Sequence, residues 1–387
     1  MSRLSNFRAL ANVFIKYPLY AFHLIQKKIR MGLLGRNISG KGFPDIAPLP
    51  LGYDLILTFR CNLRCSMCMQ WGGRGWCKDN KRYLEDKEMP LEVIEKMIVF
   101  PGVQDPFYIL FGGEPLLYSG INRLIRILRD KKRFTYVCTN GTMLDTILEN
   151  VKDNPYLVFM VALDGLEQEN DFIRGKGVYR QVVNNIKKLK SIRPSNYTGL
   201  EFTVLPENVN SMYAFCKETV KLGIDWIVFN LRWFVSAQEA KEYEEVIRSN
   251  FNITPSCHLG YLNDYPLSRE LFMEQYKKIR SENWPIQISW MPPLSCRRDL
   301  DAYLGGYPGS SAGKFCYKEW MRMDVLPTGE VTACKQFPDL IVGDLNKQSV
   351  EEVWNSDAYK KFRRLVAAGL LPVCGKCNAL YLYDNKP

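Results

Sequence analysis

Histidine is nearly missing from this sequence: His23 and His258 are the only two in 387 residues. Mixed Cys/His zinc sites and His-based acid–base catalysis are therefore poorly supplied. Also missing is an uninterrupted N-terminal apolar run ending in a small-residue cleavage site, so no secretory signal peptide is expected. Acidic residues are scarce at the start, where residues 1–50 hold eight Lys or Arg and only Asp45 as an acid, which accounts for +7 of the net charge of +11. The positive excess sits in one segment and shows no basic–aromatic interleaving of an RNA-binding kind, so nucleic acid is not an expected partner. That segment is apolar but broken by Asn12, Lys16, Pro18 and His23, which makes it a poor membrane-spanning helix. The expectation is a helix packed on the protein body with its basic face in water. The alternative is peripheral contact of residues 1–36 with the inner face of an anionic membrane.

What is present is ample material for a folded core, with 47% hydrophobic and 24% charged residues. The length suggests two or three domains. Twelve cysteines without a signal peptide point to reduced thiols in a cytoplasmic protein, free to hold a metal cofactor.

Between Tyr53 and Asn230 short β-rich runs alternate with helical patterns. The runs fall at 53–58, 107–111, 134–139, 157–163, 200–205 and 226–230, and the stretches between them carry apolar residues at three- and four-residue spacing. Six strands alternating with helices predict a parallel α/β sheet, open or partly closed into a barrel. In such sheets ligands gather beyond the carboxyl ends of the strands. Two conspicuous motifs fall on that rim: C-x3-C-x2-C, formed by Cys61, Cys65 and Cys68 after the first strand, and Gly112-Gly113-Glu114-Pro115 after the second.

Three thiolates are one fewer than a [4Fe-4S] cluster has irons, so such a loop leaves one iron open to a substrate or cofactor. A thioredoxin-like pair at Cys65 and Cys68 would leave Cys61 unexplained, and zinc would want a fourth ligand nearby.

"CNLRCSMC" after one strand and "FGGEPLL" after the next resemble the radical S-adenosylmethionine (radical SAM) enzymes. The resemblance implies a partial (β/α)6 barrel in which Cys61, Cys65 and Cys68 hold a [4Fe-4S] cluster whose fourth iron chelates S-adenosylmethionine (SAM). One electron then cleaves SAM to a 5′-deoxyadenosyl radical, which takes hydrogen from an unactivated C–H bond. It further implies cofactor contacts from Gly112, Gly113 and Glu114, the last facing the SAM amino group, and from Asn140 in "CTNGT". Arg174 is implied as a partner of the SAM carboxylate, and a reductant such as flavodoxin or ferredoxin as the electron source. Two positions depart from the family pattern: Ala162 replaces a serine common before "LDG", and Met67 replaces a frequent aromatic but can still pack on adenine as a soft apolar surface.

Near the C-terminus, Cys316, Cys334, Cys374 and Cys377 read C-x12-G-x4-C, a gap of 39 residues, then C-x2-C. "MDVLP", a turn at Gly329 and "EVTAC" predict a hairpin that brings Cys316 and Cys334 together. Spacing alone leaves a structural zinc ribbon open. The segment also resembles the auxiliary-cluster domain called SPASM, or its shortened form, twitch, which implies one auxiliary [4Fe-4S] cluster ligated wholly by protein. The remaining cysteines, Cys77, Cys138, Cys216, Cys257 and Cys296, have no ligand spacing, although Cys257 and Cys296 fall where substrate contacts could gather.

The expected organisation is therefore a basic, aromatic-rich helical segment over 1–50 and a radical SAM core over 51–235. A linking, substrate-contacting region over 236–310 and a SPASM/twitch-like domain over 311–387 follow. The expected activity is hydrogen abstraction from a small-molecule or membrane-derived substrate. A peptide or protein maturase of the same superfamily is the alternative, and a non-catalytic iron–sulfur carrier or zinc-stabilised binding module the alternative from another class. No catalytic acid or base is legible.

Overall fold

The computed structural model describes residues 13–41, 44, 46–78, 83, 87–99, 106–193, 195–305 and 315–382. Ten strands form one sheet: β1 (Gly52–Thr58), β2 (Phe107–Gly112), β3 (Thr135–Thr139), β4 (Leu157–Ala162), β5 (Tyr197–Val204), β6 (Trp226–Leu231), β7 (Gln287–Met291), β8 (Arg322–Val325), β9 (Glu330–Thr332) and β10 (Ile341–Asp344). Their spatial order is β10-β9-β8-β1-β2-β3-β4-β5-β6-β7. Pairing is parallel from β8 through β1 to β7, and antiparallel only between β8, β9 and β10.

The six strands expected from the sequence are β1 to β6. The sheet is wider than those six in both directions. The stretch expected as a linking region contains helices Ala237–Phe251 and Arg269–Ser281 as well as β7, which pairs with β6 from Trp226↔Gln287 to Asn230↔Met291. At the other edge the C-terminal hairpin does not stand apart: β8 pairs with β1 from Gly52↔Arg322 to Leu55↔Val325. Gly329 occupies the hairpin turn with φ of +83°, a conformation that residues bearing a Cβ adopt at a cost.

Helices Leu91–Val99, Ile121–Asp130, Val178–Ile192 and Met212–Thr219 lie between successive strands, as parallel crossovers require. Their buried faces (Ile94 and Met97, Leu124 and Leu128, Val182 and Ile186, Phe215) share one core with the strand residues Leu55, Leu110, Val137, Phe159 and Phe202. That core leaves the alternate strand positions to face the barrel interior.

Helix Pro18–Lys41 packs on the opposite end of the sheet from the cysteine rim. Tyr17, just before it, donates its hydroxyl to Asp225 Oδ1 at 2.5 Å. Tyr20 lies 4.5 Å from the Tyr197 ring, His23 stacks on Phe134 at 4.1 Å, and the Lys27 ammonium sits 4.0 Å above Phe107. These partners lie at or just before the starts of β2, β3, β5 and β6. Burial drives the His23 imidazole down to about 3, so it is a neutral packing residue. The other histidine, His258, is fully buried with Nε2 3.0 Å from Glu244 Oε1. The expected packed helix is observed, but not a purely basic outer face: Lys16 and Lys28 are exposed, Lys27 turns onto the body, and Phe22, Ile25, Ile29 and Leu33 face outward. Arg3 and Arg8 of that segment lie outside the described residues.

Candidate functional site

The loop after β1 is tied down at several points. Gly113 N–H donates to the Thr58 carbonyl at 3.0 Å and Glu114 N–H to that of Arg60 at 2.7 Å. A Cβ on Gly113 would lie 2.1 Å from the Arg60 carbonyl oxygen, and one on Gly112 2.3 Å from that of Thr58. Any side chain there would push the cysteine loop off its seat. Farther along, Ser66 N–H bonds the Ile173 carbonyl at 2.9 Å, and the Trp71 indole N–H bonds that of Phe59 at 2.7 Å.

Each sulfur of this loop has an N–H directed at it. Leu63 N–H lies 3.5 Å from Cys61 Sγ, which also receives Asn140 Nδ2 at 3.9 Å. Arg174 Nη1 lies 3.9 Å from Cys65 Sγ, and Trp71 N–H 3.4 Å from Cys68 Sγ. Such donors stabilise thiolate and raise the potential of a sulfur-ligated cluster. Burial acts the other way and pushes the Cys61 thiol up to about 12 and that of Cys65 up to about 11. A cation must therefore displace the proton for these sulfurs to carry charge near neutral pH.

Cys61, Cys65, Met67, Cys68, Gly112, Gly113, Asn140 and Arg174 all line one cavity of about 490 Å³, as does Ala162. Glu114 does not. It is fully buried behind the wall, where its carboxylate accepts from Thr139 Oγ1–H at 2.7 Å, Asn140 N–H at 2.7 Å and Leu116 N–H at 3.0 Å. It thus sets the turn that presents Asn140 from behind the wall. Arg174 is likewise engaged, with Nε 2.7 Å and Nη2 2.6 Å from Asp164 Oδ2, leaving Nη1 on the cavity side.

Burial raises the Glu114 carboxyl to about 7 from the usual 4.5. A raised carboxyl contributes stability that is present below pH 4.5 and lost as pH rises through about 7. Glu114→Gln turns an amide NH2 toward three donors and is expected to cost about 1–3 kcal/mol in mildly acidic buffer. The deficit relative to the parent should shrink between about pH 4.5 and 7 and level off above, in urea denaturation of the apoprotein. A deficit that widened with pH would mean the charged form is the favoured one.

The same cavity reaches the second cysteine set, with Cys316, Cys334, Cys374 and Cys377 all in its wall. Cys334 follows β9, while Cys374 and Cys377 sit on and just after a 3-10 turn, Pro372–Lys376, closed by Cys377 N–H on the Cys374 carbonyl at 2.9 Å. Burial pushes the Cys334 thiol up to about 12 and that of Cys377 up to about 11. Among the described residues no group of three His, Cys, Asp or Glu is spaced to hold a single metal ion.

Several wall residues were not singled out from the sequence. Glu201 and Thr203 on β5 point inward, between the core positions Leu200, Phe202 and Val204. Asn230 and Arg232 at the end of β6 and Met291 on β7 join them, as does Cys138 on β3, the first residue of "CTNGT". Arg322 and Lys335 also line the cavity and flank Asp54 of β1, with Nη1 and Nζ at 3.4 and 3.6 Å from its carboxylate oxygens. Burial alone would raise the Asp54 carboxyl, but Arg322, Lys335 and Lys318 together hold it at about 2. Cys257, buried with Phe59, Trp71 and Trp76, and the exposed Cys296 are not in the wall.

Residues 55–219 match the sequence profile of the radical SAM superfamily, and residues 316–378 match SPASM, an iron–sulfur cluster-binding domain. The chain is 22% identical over 349 residues to the tungsten-containing aldehyde ferredoxin oxidoreductase cofactor-modifying protein of Pyrococcus furiosus, covering 84% of this chain and 86% of that one. It is 23% identical over 355 residues to the antilisterial bacteriocin subtilosin biosynthesis protein AlbA of Bacillus subtilis, covering 87% and 68%. Its fold matches that of Streptococcus suis SuiB bound to S-adenosylmethionine, with a TM-score of 0.59 at 16% identity over 92% of this chain and 84% of that one.

Proposed function

Because this chain belongs to the radical SAM superfamily and carries a C-terminal SPASM domain, we propose that the cavity lined by both cysteine sets is where a SAM-derived radical meets a compact organic substrate. The cofactors of such an enzyme are a SAM-binding [4Fe-4S] cluster, SAM and auxiliary iron–sulfur ligation in the SPASM domain. When bound, the cluster and SAM supply reductive cleavage to a 5′-deoxyadenosyl radical, which abstracts hydrogen.

In this reading Cys61, Cys65 and Cys68 ligate the first cluster. Met67, Gly112, Gly113 and Asn140 form the seat for SAM, with Glu114 holding the Asn140 turn from behind. Arg174 offers Nη1 to the cofactor side while Asp164 fixes its other nitrogens. Cys316, Cys334, Cys374 and Cys377 account for one fully protein-ligated auxiliary cluster, suited to electron transfer or structural support but not to direct substrate binding. Electrons come from a flavodoxin or ferredoxin in the cytoplasm.

The observation that carries this proposal is that both cysteine sets and the inward polar residues Glu201, Asn230 and Arg232 share one cavity. SAM and both clusters would share that volume of about 490 Å³ with the substrate, so the space left suits a compact molecule. A peptide substrate, the second reading, would enter as one side chain; AlbA is named for bacteriocin biosynthesis, and the likeness to it extends over 87% of this chain.

The test is anaerobic: protein reconstituted with iron and sulfide, then given SAM and dithionite, is expected to form 5′-deoxyadenosine. Full cluster loading without that product would overturn the assignment and leave an electron carrier.

A further inference from the structure

The N-terminal helical segment has two apolar faces, and the barrel uses only one. Tyr17, Tyr20, Ala21 and Leu34 are buried against the body. On the outward side Ile15, Leu19, Phe22, Ile25, Ile29 and Leu33 recur every three or four residues and remain between 41% and 79% exposed. Scattered exposed apolar residues are ordinary, but six aligned along a helix form the kind of continuous stripe that marks an interaction surface.

The charge pattern identifies what would cover it. Lys16 and Lys28 are exposed beside the stripe, and no Asp or Glu occurs anywhere in residues 13–44. A second copy meeting the same face would bring cation against cation. A surface that is apolar in its centre and anionic around it satisfies both features, and an anionic bilayer is such a surface. Among the described residues no helix is long and apolar enough to cross a membrane, so the segment would lie along the surface.

We propose that the outward face of helix Pro18–Lys41, with the turn before it, docks the protein on an anionic membrane with the cysteine rim turned to the aqueous phase. The orientation follows from the fold. The inner face of the helix sits on Phe107, Phe134 and Tyr197, at the starts of their strands, whereas the cysteine loop leaves the end of β1. Substrate would then reach the cavity from the water side. Docking needs no cluster or SAM, so it stands or falls independently of the radical chemistry.

The test is cosedimentation of the full chain with phosphatidylglycerol vesicles and with phosphatidylcholine vesicles. Binding to phosphatidylglycerol is expected, about tenfold or more tighter than to phosphatidylcholine, and weakening with salt. The double substitution Phe22→Gln and Ile29→Gln should weaken it about tenfold or more without changing the melting temperature, since both side chains face outward. No binding by the parent, or equal binding by the variant, overturns the proposal. A melting temperature that falls in the variant, or a lipid-free dimer that the variant dissolves, also overturns it, because the face would then be covered by this chain or by a second copy.

Discussion

Replacing Cys61, Cys65 and Cys68 together by Ala abolishes 5′-deoxyadenosine formation and lowers bound iron from about eight atoms per chain to about four. The loss is complete because no other cysteine is placed to substitute. Cys77 is packed with Trp76 and Tyr83 in an apolar cluster, and Cys138, although in the cavity wall, is a lone thiol on β3 and not part of the loop. The three positions also act as a unit, since each sulfur is matched to its own donor from Leu63, Arg174 or Trp71. Iron analysis and product detection on one anaerobic preparation check both parts. Retention of all the iron would move the cluster off this loop. A parent holding about four irons together with zinc would turn the C-terminal cysteines into a zinc ribbon while leaving the radical site intact.

Asp164→Ala is expected to lower stability by about 3–5 kcal/mol, the usual cost of stranding one member of a buried ion pair. Asp164 is fully buried and carries two bonds from Arg174 and one from Thr203 N–H at 2.6 Å. Removing it leaves a guanidinium, only 7% exposed at its side chain, facing Cys65 without its counterion. Against a total stability of about 5–15 kcal/mol this is a large fraction. Urea denaturation of the apoprotein measures it, and Arg174→Ala in the same chain should restore much of the loss because the stranded charge is gone. If the double variant is no better than Asp164→Ala alone, the cost lies in the Thr203 bond and not in the charge.

Much of the site was legible because local chemistry specifies it. C-x3-C-x2-C after a strand and Gly-Gly-Glu after the next fix a ligand loop and the backbone that seats it, and the strands β1 to β6 stand out as apolar runs between helical periods. β7 was not recognised because "QISWM" is short, mixes polar and apolar positions, and is enclosed by Pro285 and the Pro292-Pro293 pair, which read as loop. The pairing of β8 with β1 joins residues some 270 positions apart, beyond the reach of any local pattern. Its trace is Asp54, an acid inside "YDLILT" that makes sense only once Arg322 and Lys335 arrive beside it. Glu201 and Thr203 left a similar trace, as polar residues alternating with apolar ones on a strand buried on both sides. For Glu114 the motif is recognisable in the sequence, but only the fold reveals that its oxygens accept from Thr139, Asn140 and Leu116.

The shared sheet also constrains what can be removed. β1 is hydrogen-bonded to β2 on one side and to β8 on the other, and all seven of its residues are buried. Cutting the chain ahead of β8 would convert β1, the outermost of the strands β1 to β7, into a bare, apolar edge, open to pairing with any neighbouring chain. The C-terminal cysteines could be lost one at a time in descent while the strand persisted. The strand itself could not be shed without turning a folded enzyme into a seed for aggregation.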